Sequence, residues 1–145
     1  DLPDVLTIDL FAPEERLRPV TARLAERGPS LFHAGPLEWD ANPPYWAANV
    51  HMPGTSKASG VAVLARRLGI TLKEVLAVGD GENDLPLLEA AGLGVAMGNA
   101  APHVKARADA VVRGHDEDGV AEAIERFVLR PLRESGLSLP LQRSD

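Results

Sequence analysis

The ten residues Gly79-Asp80-Gly81-Glu82-Asn83-Asp84-Leu85-Pro86-Leu87-Leu88 decide the fold of this chain. They follow a run typical of a buried strand, Val75 to Val78, and they lead into an apolar helical pattern. Open α/β sheets bind their ligands at the carboxyl ends of the strands. The stretch therefore predicts carboxylates and an amide crowded at a strand end, where they can hold a hard cation and a phosphate together.

Composition excludes several classes of protein. The chain has 145 residues, 45% of them hydrophobic, which suits one domain or one and a half. Its net charge of −6 argues against a nucleic-acid surface, and the absence of cysteine excludes disulfides and thiolate metal sites. No run approaches the roughly 18 apolar residues of a membrane span, and no cationic, apolar leader is present. We therefore expect a cytoplasmic protein without nucleic-acid or membrane partners.

The first 52 residues predict a small β-α-β-β unit. A strand over residues 5–8 precedes a helix in which Pro13 is a good first residue, because its fixed φ suits the first turn. The apolar stripe predicted for that helix is Leu17, Val20 and Leu24. Two weaker strands are predicted near residues 30–33 and 46–50.

After Pro53-Gly54 the pattern predicts an α/β fold with parallel strands. Continuous apolar runs at 75–78, 93–97 and 110–112 alternate with helical patterns, which is typical of a doubly wound sheet covered on both faces. The predicted apolar faces of the first and last helices are Val61, Leu64, Ala65 and Leu68, and Val120, Ile124, Phe127 and Val128. Three strands make a thin sheet, so we expect part of the domain to lie elsewhere. The tail, residues 131–145, has no clear period and is expected to be partly disordered.

Four polar residues are the candidate site. Asp80 is the predicted metal ligand, since Mg²⁺ needs only one or two protein carboxylates; the alternative is a helix cap. Asn83 either donates to a phosphate oxygen or caps the following helix, and both roles can coexist. Lys57 opens a helix, where an ammonium opposes the helix dipole, so an anionic ligand explains it better than stability does. A solvated lysine is the alternative.

Two further expectations concern how these residues meet. A right-handed crossover, which makes neighbours of two strand ends, would bring Lys57 to the Asp80 cluster. Asp84 is then expected to accept from Lys57 and to orient it; a surface charge at a helix end is the alternative.

Together with Ser56-Lys57 and Gly94-Val95-Ala96-Met97-Gly98-Asn99-Ala100, the opening stretch resembles the haloacid dehalogenase superfamily of phosphatases. Within it, the Cof-type branch of sugar-phosphate and related phosphatases is the most similar. The resemblance implies a Rossmannoid core that dephosphorylates a small phosphorylated metabolite with Mg²⁺. It places Lys57 and Asn83 on the phosphate, Asp80 on the metal, and Asp84 behind the lysine.

The resemblance also implies a division of the chain. Residues 1–52 resemble the end of an α/β cap, 53–130 the C-terminal half of the catalytic core, and 131–145 a tail. Caps of this kind close over the site and help to choose the substrate. The aromatic residues Trp39, Tyr45 and Trp46 either line that lid or pack the cap against the core.

One part of the family's machinery is missing from the sequence. The nucleophilic aspartate stands in a strand followed by Asp-x-Asp-Gly-Thr, and the chain contains no such phrase. Asp9 ends an apolar run but lacks the second aspartate and the Gly-Thr turn, so we do not expect it to be the nucleophile. The chain is then part of a larger phosphatase, a natural but incomplete phosphatase, or a relative that binds without turnover. An inactive fragment that is able to self-associate is our expectation, and a non-catalytic Mg²⁺- and phosphate-binding or interaction module is the alternative.

Overall fold

The computed structural model describes residues 7–28, the backbone of 30–36, and residues 45–136. These residues form two three-stranded sheets, one antiparallel and one parallel. None of the helices in these ranges is long and apolar enough to cross a membrane. The assignment of residues 1–52, 53–130 and 131–145 to cap, core and tail stays a prediction.

The antiparallel sheet confirms the predicted β-α-β-β order of the N-terminal part. Its elements are β1 Thr7–Pro13, α1 Glu14–Ala25, β2 Ser30–Pro36 and β3 Tyr45–His51. The strand order is β1-β3-β2, with Thr7 and Ser30 both opposite His51. The third strand in sequence is therefore the central one, and α1 packs against it.

Two details of this unit differ from the prediction. Pro13 ends β1 in an extended conformation, at φ −52° and ψ 146°, so α1 begins one residue later. Val20 is 48% exposed, and Thr21 takes its place beside Leu17 on the buried face of α1. Thr21 and Leu17 are four residues apart and share one face of the helix. The Thr21 hydroxyl donates to the Leu17 carbonyl oxygen at 3.2 Å, so its polar group is satisfied although it is buried.

The parallel sheet confirms the predicted α/β fold. The strand order is β4-β5-β6, with Leu76 opposite Leu93 and Val95 opposite Ala110. In chain order its elements are α2 Lys57–Leu68, β4 Leu76–Gly79, α3 Leu85–Ala90, β5 Leu93–Ala96, α4 Pro102–Lys105, β6 Ala110–Val111, α5 Gly119–Ile124 and α6 Arg130–Glu134. Short 3₁₀ turns cover Leu72–Glu74, Glu82–Asp84 and His115–Glu117, and a π-helical turn, Glu125–Leu129, joins α5 to α6.

Both faces of the parallel sheet are buried, as expected for a doubly wound arrangement. Successive residues of β5 point to opposite faces, so Ala96 packs with Leu88 and Val104 on one side. On the other side, Val95 packs with Val112 and Ala123 of α5. Leu88, Val95 and Val104 are the largest fully buried side chains among the described residues. These contacts hold the carboxyl ends of β4 and β5 at one edge of the sheet.

The apolar faces predicted for α2 and for the last helix are wrong in part. Leu64 and Leu68 are 54% and 65% exposed, because α2 buries Ala65 and the described elements pack on that side alone. In α5, Val120 and Ile124 are exposed, and the small residues Gly119 and Ala123 are buried instead. A side chain at position 119 would overlap the Arg113 carbonyl oxygen, so the close approach of α5 requires glycine.

The last helix also crosses the predicted start of the tail. Helix α6 runs from Arg130 to Glu134, although residues 131–134 show no clear period in the sequence. These four residues are helical, and the expectation that the tail is partly disordered stays a prediction. Residues 137–145 lie outside the described part of the chain.

We predict that Leu88→Ala destabilises the chain by about 2–5 kcal/mol, because it empties a fully packed site between α3 and the sheet. The measurement is the free energy of unfolding from urea denaturation followed by circular dichroism. Leu68→Ala is the matched control, since Leu68 is 65% exposed where Leu88 is 2% exposed. Equal losses in the two variants would contradict the described core.

Candidate active site

The loop after β4 is folded around the carboxylate of Asp84. One oxygen, Oδ2, accepts the backbone N–H groups of Asp80 and Gly81, each at 3.0 Å. A Cβ on residue 79 would lie 2.5 Å from the Cβ of Asp84, so the strand must end in glycine for the carboxylate to enter. Asp84 is 7% exposed, and its hydrogen bonds offset the cost of burying it.

The second oxygen of Asp84 binds Lys57. Lys57 is the first residue of α2, and Ser56 caps the helix in a capping box with Ser59. The Lys57 ammonium donates to Asp84 Oδ1 in a direct ion pair, which is the contact predicted between these two residues. The crossover proposed to explain it is wrong, because the strand before α2 is β3, which belongs to the antiparallel sheet. Asp84 therefore joins the start of α2, which follows β3 of the antiparallel sheet in the chain, to the loop after β4 of the parallel sheet.

The protonation of Asp84 follows from these contacts. Burial raises the pKa of Asp84, but the hydrogen bond from Lys57, the two backbone N–H groups and the lysine charge together lower it more. The net pKa is below the ordinary value of 3.8, so the carboxylate is ionised at neutral pH. The ionised form is the one that orients the Lys57 ammonium.

Asp80 is exposed, and a neighbouring loop holds its carboxylate. The Asn99 amide donates to Asp80 Oδ2 at 2.7 Å, and Asn99 Oδ1 accepts the backbone N–H of His115 at 3.0 Å. The sequence prediction gave Asn99 no role. Asn99 comes just after the predicted strand 93–97. In a parallel sheet the carboxyl end of that strand lies beside the carboxyl end of the strand 75–78, so this position could have predicted that Asn99 is close to Asp80.

Asn83 does not cap the helix that follows it. It lies within the 3₁₀ turn Glu82–Asp84, and the N-cap position of α3 is occupied by Asp84. Asn83 borders both clefts that separate the two sheets, so its amide is available to a ligand there. The capping alternative is therefore wrong.

Two clefts lie between the antiparallel sheet and the loops that carry the candidate residues. The first has a volume of about 560 Å³, and Asp80, Asn83 and Asn99 face Trp46 and Asn49 across it. Arg18 lies 5.6 Å from the centre of the Trp46 ring in a cation–π contact at the same cleft. Trp46 therefore lines the opening, while Tyr45 does not border either cleft and Trp39 lies outside the described residues.

The second cleft, of about 410 Å³, contains Lys57. Asp9 and Asn49 line it on the side of the antiparallel sheet, and the Asn49 amide donates to Asp9 Oδ1 at 2.7 Å. Asp9 lies within β1, paired with Asn49 of β3, rather than at a strand end of the parallel sheet. Asn49 and Asn83 border both clefts, so the two spaces meet at these amides.

The donor set at Asp80 suits a hard cation. In the described part of the chain, no three His, Asp or Glu side chains are grouped so as to hold a metal ion. Asp80 offers one carboxylate, and Asn99 already occupies its Oδ2. Mg²⁺ keeps several waters and binds through one or two carboxylates together with substrate phosphates. A single exposed carboxylate beside a cleft is compatible with Mg²⁺, and the role of Asp80 as its ligand stays a prediction.

A family model agrees with this arrangement. The model for haloacid dehalogenase-like hydrolases matches residues 4–124, which include both sheets. The chain belongs to the family of haloacid dehalogenase-like hydrolases. Its predicted resemblance to the Cof-type branch of that superfamily is confirmed.

Two relatives of the chain carry phosphatase names. The chain is 46% identical over 80 residues to the 5-amino-6-(5-phospho-D-ribitylamino)uracil phosphatase YcsE of Bacillus subtilis, covering 55% of the chain and 32% of that protein. It is 41% identical over 83 residues to the phosphoglycolate phosphatase of Methanothermobacter thermautotrophicus, covering 57% of the chain and 38% of that protein.

The fold has a solved counterpart in the subclass IIB sugar phosphatase BT4131 of the same superfamily. The TM-score is 0.69 at 33% sequence identity, and the match covers 85% of the chain and 43% of that structure. The chain thus spans less than half the length of these known proteins.

We predict that Asp84→Asn lowers the free energy of unfolding by about 1.5–3 kcal/mol near neutral pH, because it removes a charged hydrogen-bond acceptor. The folded pKa of Asp84 is below its ordinary value of 3.8, so its contribution is full above that pH. The difference between wild type and variant should therefore shrink as the pH falls below about 3.8.

Urea denaturation at about pH 7 and about pH 3 measures this difference. Glu89→Gln is the control, because it breaks the exposed pair with Arg107, which is worth about 0–1 kcal/mol. A loss for Asp84→Asn that does not depend on pH would contradict the role of the ionised carboxylate.

Proposed function

We propose that the complete protein is a Mg²⁺-dependent phosphatase that hydrolyses a small phosphorylated metabolite, such as a sugar phosphate, through an aspartyl-phosphate. The observation that carries the proposal is the grouping of Lys57, Asp80 and Asn83 around the buried Asp84 at the carboxyl end of β4. The names of the relatives and of the solved sugar phosphatase support this reaction class. Their different substrates leave the metabolite open.

Positive charge at the start of α2 supports phosphate binding there. The N-terminus of this 12-residue helix carries partial positive charge, and the Lys57 ammonium adds a full charge at the same end. Asp84 is the carboxylate that faces them, and it also accepts two backbone N–H groups. An ammonium carries three N–H donors, so Lys57 would donate to a phosphate oxygen as well as to Asp84, and the Asn83 amide would be a second donor.

Asp80 supplies the other half of the site in this proposal. Its carboxylate would hold Mg²⁺ beside the phosphate, while Asn99 keeps it in place. Bound Mg²⁺ would neutralise negative charge on the phosphoryl group, which favours attack at phosphorus. Phosphoryl transfer depends mostly on positioning and charge stabilisation, and Lys57, Asn83 and Asp80 would perform these two tasks.

The antiparallel sheet would act as the lid over this site. Trp46 and Asn49 stand opposite Asp80 and Asn83 across the larger cleft. In the proposal they contact the organic part of the substrate and exclude water from the phosphate.

The proposal assigns no turnover to this chain alone. The Asp-x-Asp-Gly-Thr phrase that carries the nucleophile is absent from the 145 residues. Asp9 is held by Asn49 in the antiparallel sheet, although it borders the cleft that contains Lys57. Hydrolysis of p-nitrophenyl phosphate by the purified chain, abolished by Asp9→Asn, would overturn this part of the proposal.

We predict that the chain binds inorganic phosphate more tightly with Mg²⁺ than without it, and that Asp80→Asn removes the Mg²⁺-dependent part of the binding. The reason is that Asp80 is the proposed protein ligand to the ion. Broadening of the phosphate ³¹P resonance during titration measures the affinity. Asp116→Asn makes the same charge change at a highly exposed side chain and should leave both components intact. An unchanged Mg²⁺ effect in Asp80→Asn would contradict the proposal.

We further predict that Lys57→Met weakens phosphate binding with and without Mg²⁺. A charge-assisted hydrogen bond contributes about 1.5–3 kcal/mol, which corresponds to a loss of roughly 10- to 100-fold. The same ³¹P titration measures the loss. The exposed Lys73 supplies the charge-matched control, Lys73→Met, which should bind phosphate as the wild type does. Equal weakening in both variants would show that only net charge matters.

A further inference from the structure

We propose that Asn99 is a positioning residue that holds the Asp80 carboxylate in one orientation and leaves its second oxygen for the divalent cation. The inference rests on the proposed function in one respect, namely that Asp80 binds the cation. It adds a residue to which the family resemblance assigned no role. It also links the metal site to the turn His115–Glu117, which lies outside the ligand-binding loop.

The two hydrogen bonds of Asn99 use both ends of its amide. The amide nitrogen donates to Asp80 Oδ2 at 2.7 Å, and the amide oxygen accepts from the His115 backbone at 3.0 Å. The oxygen is therefore fixed by a backbone group, and this leaves the nitrogen as the end that faces Asp80. A neutral donor also holds the carboxylate without cancelling the charge that attracts a cation.

Backbone contacts keep Asn99 itself in place. The Gly98 N–H donates to the Arg113 carbonyl at 3.2 Å, and the Lys105 ammonium donates to the Gly98 carbonyl at 2.8 Å. A Cβ on Gly98 would lie 2.9 Å from the Gly114 nitrogen, so the loops after β5 and β6 touch through their main chains. The amide thus projects from a loop whose main chain is held by these contacts.

Asp80 needs this support more than its neighbour Asp84 does. Asp84 is buried and accepts three hydrogen bonds, whereas Asp80 is exposed and its carboxylate has the Asn99 amide as its hydrogen-bond donor in the described structure. An exposed aspartate without a partner exchanges between rotamers, and each binding event then has to select one of them. Holding the carboxylate in advance removes that loss from cation binding.

The test uses the purified chain with Mn²⁺ as a spectroscopic substitute for Mg²⁺. Free Mn²⁺ is counted by electron paramagnetic resonance, and the Asp80 rotamer is read in the metal-free chain from three-bond couplings to its β-protons. We expect Asn99→Ala to weaken Mn²⁺ binding roughly 10- to 100-fold, as loss of a residue behind a metal ligand typically does. We also expect the couplings to change from those of one rotamer to an average.

Two further variants separate positioning from folding. Lys105→Met removes the hydrogen bond to the Gly98 carbonyl but keeps the Asn99 amide, so it should weaken Mn²⁺ binding less than Asn99→Ala does and should retain the single Asp80 rotamer. Asn99→Asp retains the acceptor for the His115 N–H but sets a like charge against Asp80, so the single rotamer should be lost while the fold is kept.

Each outcome separates this inference from the proposed function. Unchanged couplings in both Asn99 variants, or wild-type Mn²⁺ affinity in Asn99→Ala, would overturn the role of Asn99 alone. Wild-type Mn²⁺ affinity in Asp80→Asn would overturn the metal assignment of the proposed function, and this inference with it. If Lys105→Met weakened Mn²⁺ binding as much as Asn99→Ala, Asn99 would be a structural residue of the turn.

Discussion

The rest of the site depends on the ion pair and the hydrogen bonds of the buried Asp84 carboxylate. Its two oxygens accept from the Lys57 side chain and from the main chain of residues 80 and 81. A buried carboxylate is costly unless it is paired and hydrogen-bonded, so the contacts are mutually dependent. Removing any of them weakens the attachment of α2 to the loop after β4.

This arrangement explains why the polar residues of the loop behave differently. Both oxygens of Asp84 are occupied by hydrogen bonds within the protein, whereas Asp80 and Asn83 line the clefts. The carboxylate that serves stability is therefore not the one that suits a metal ion. The separation of the two roles follows from burial, because the interior carboxylate needs three donors and the exposed one needs a single donor to orient it.

The antiparallel sheet gives the site its shape. Asn49 of the central strand β3 borders both clefts, and Trp46 with Arg18 forms one wall of the larger one. These residues lie far from the loop 79–84 in sequence and meet it because β3 leads into α2 through a short turn at Pro53-Gly54. In the proposed function, this connection would let the antiparallel sheet and the start of α2 respond to the same ligand.

The sequence by itself determined the elements whose signals are local. The strand signal at 75–78 and the helical pattern that follows the loop both depend on neighbours within a few residues, and the structure has β4 at Leu76–Gly79 and α3 at Leu85–Ala90. The family also followed from sequence, because three phrases at fixed spacing carried it. The residues of the candidate site were named for the same reason.

Only the tertiary structure decided which residues meet across elements. The sequence pattern placed Leu64, Leu68 and Val120 in the core, but Ala65, Gly119 and Ala123 are the buried residues because the helices approach closely and small side chains fit. Asn99 acquired a partner only when the carboxyl ends of β4 and β5 came side by side. The periodicity of a sequence shows on which face of a helix the apolar residues recur. It does not show from which side other elements pack on that helix, because that side is set by contacts between residues distant in sequence.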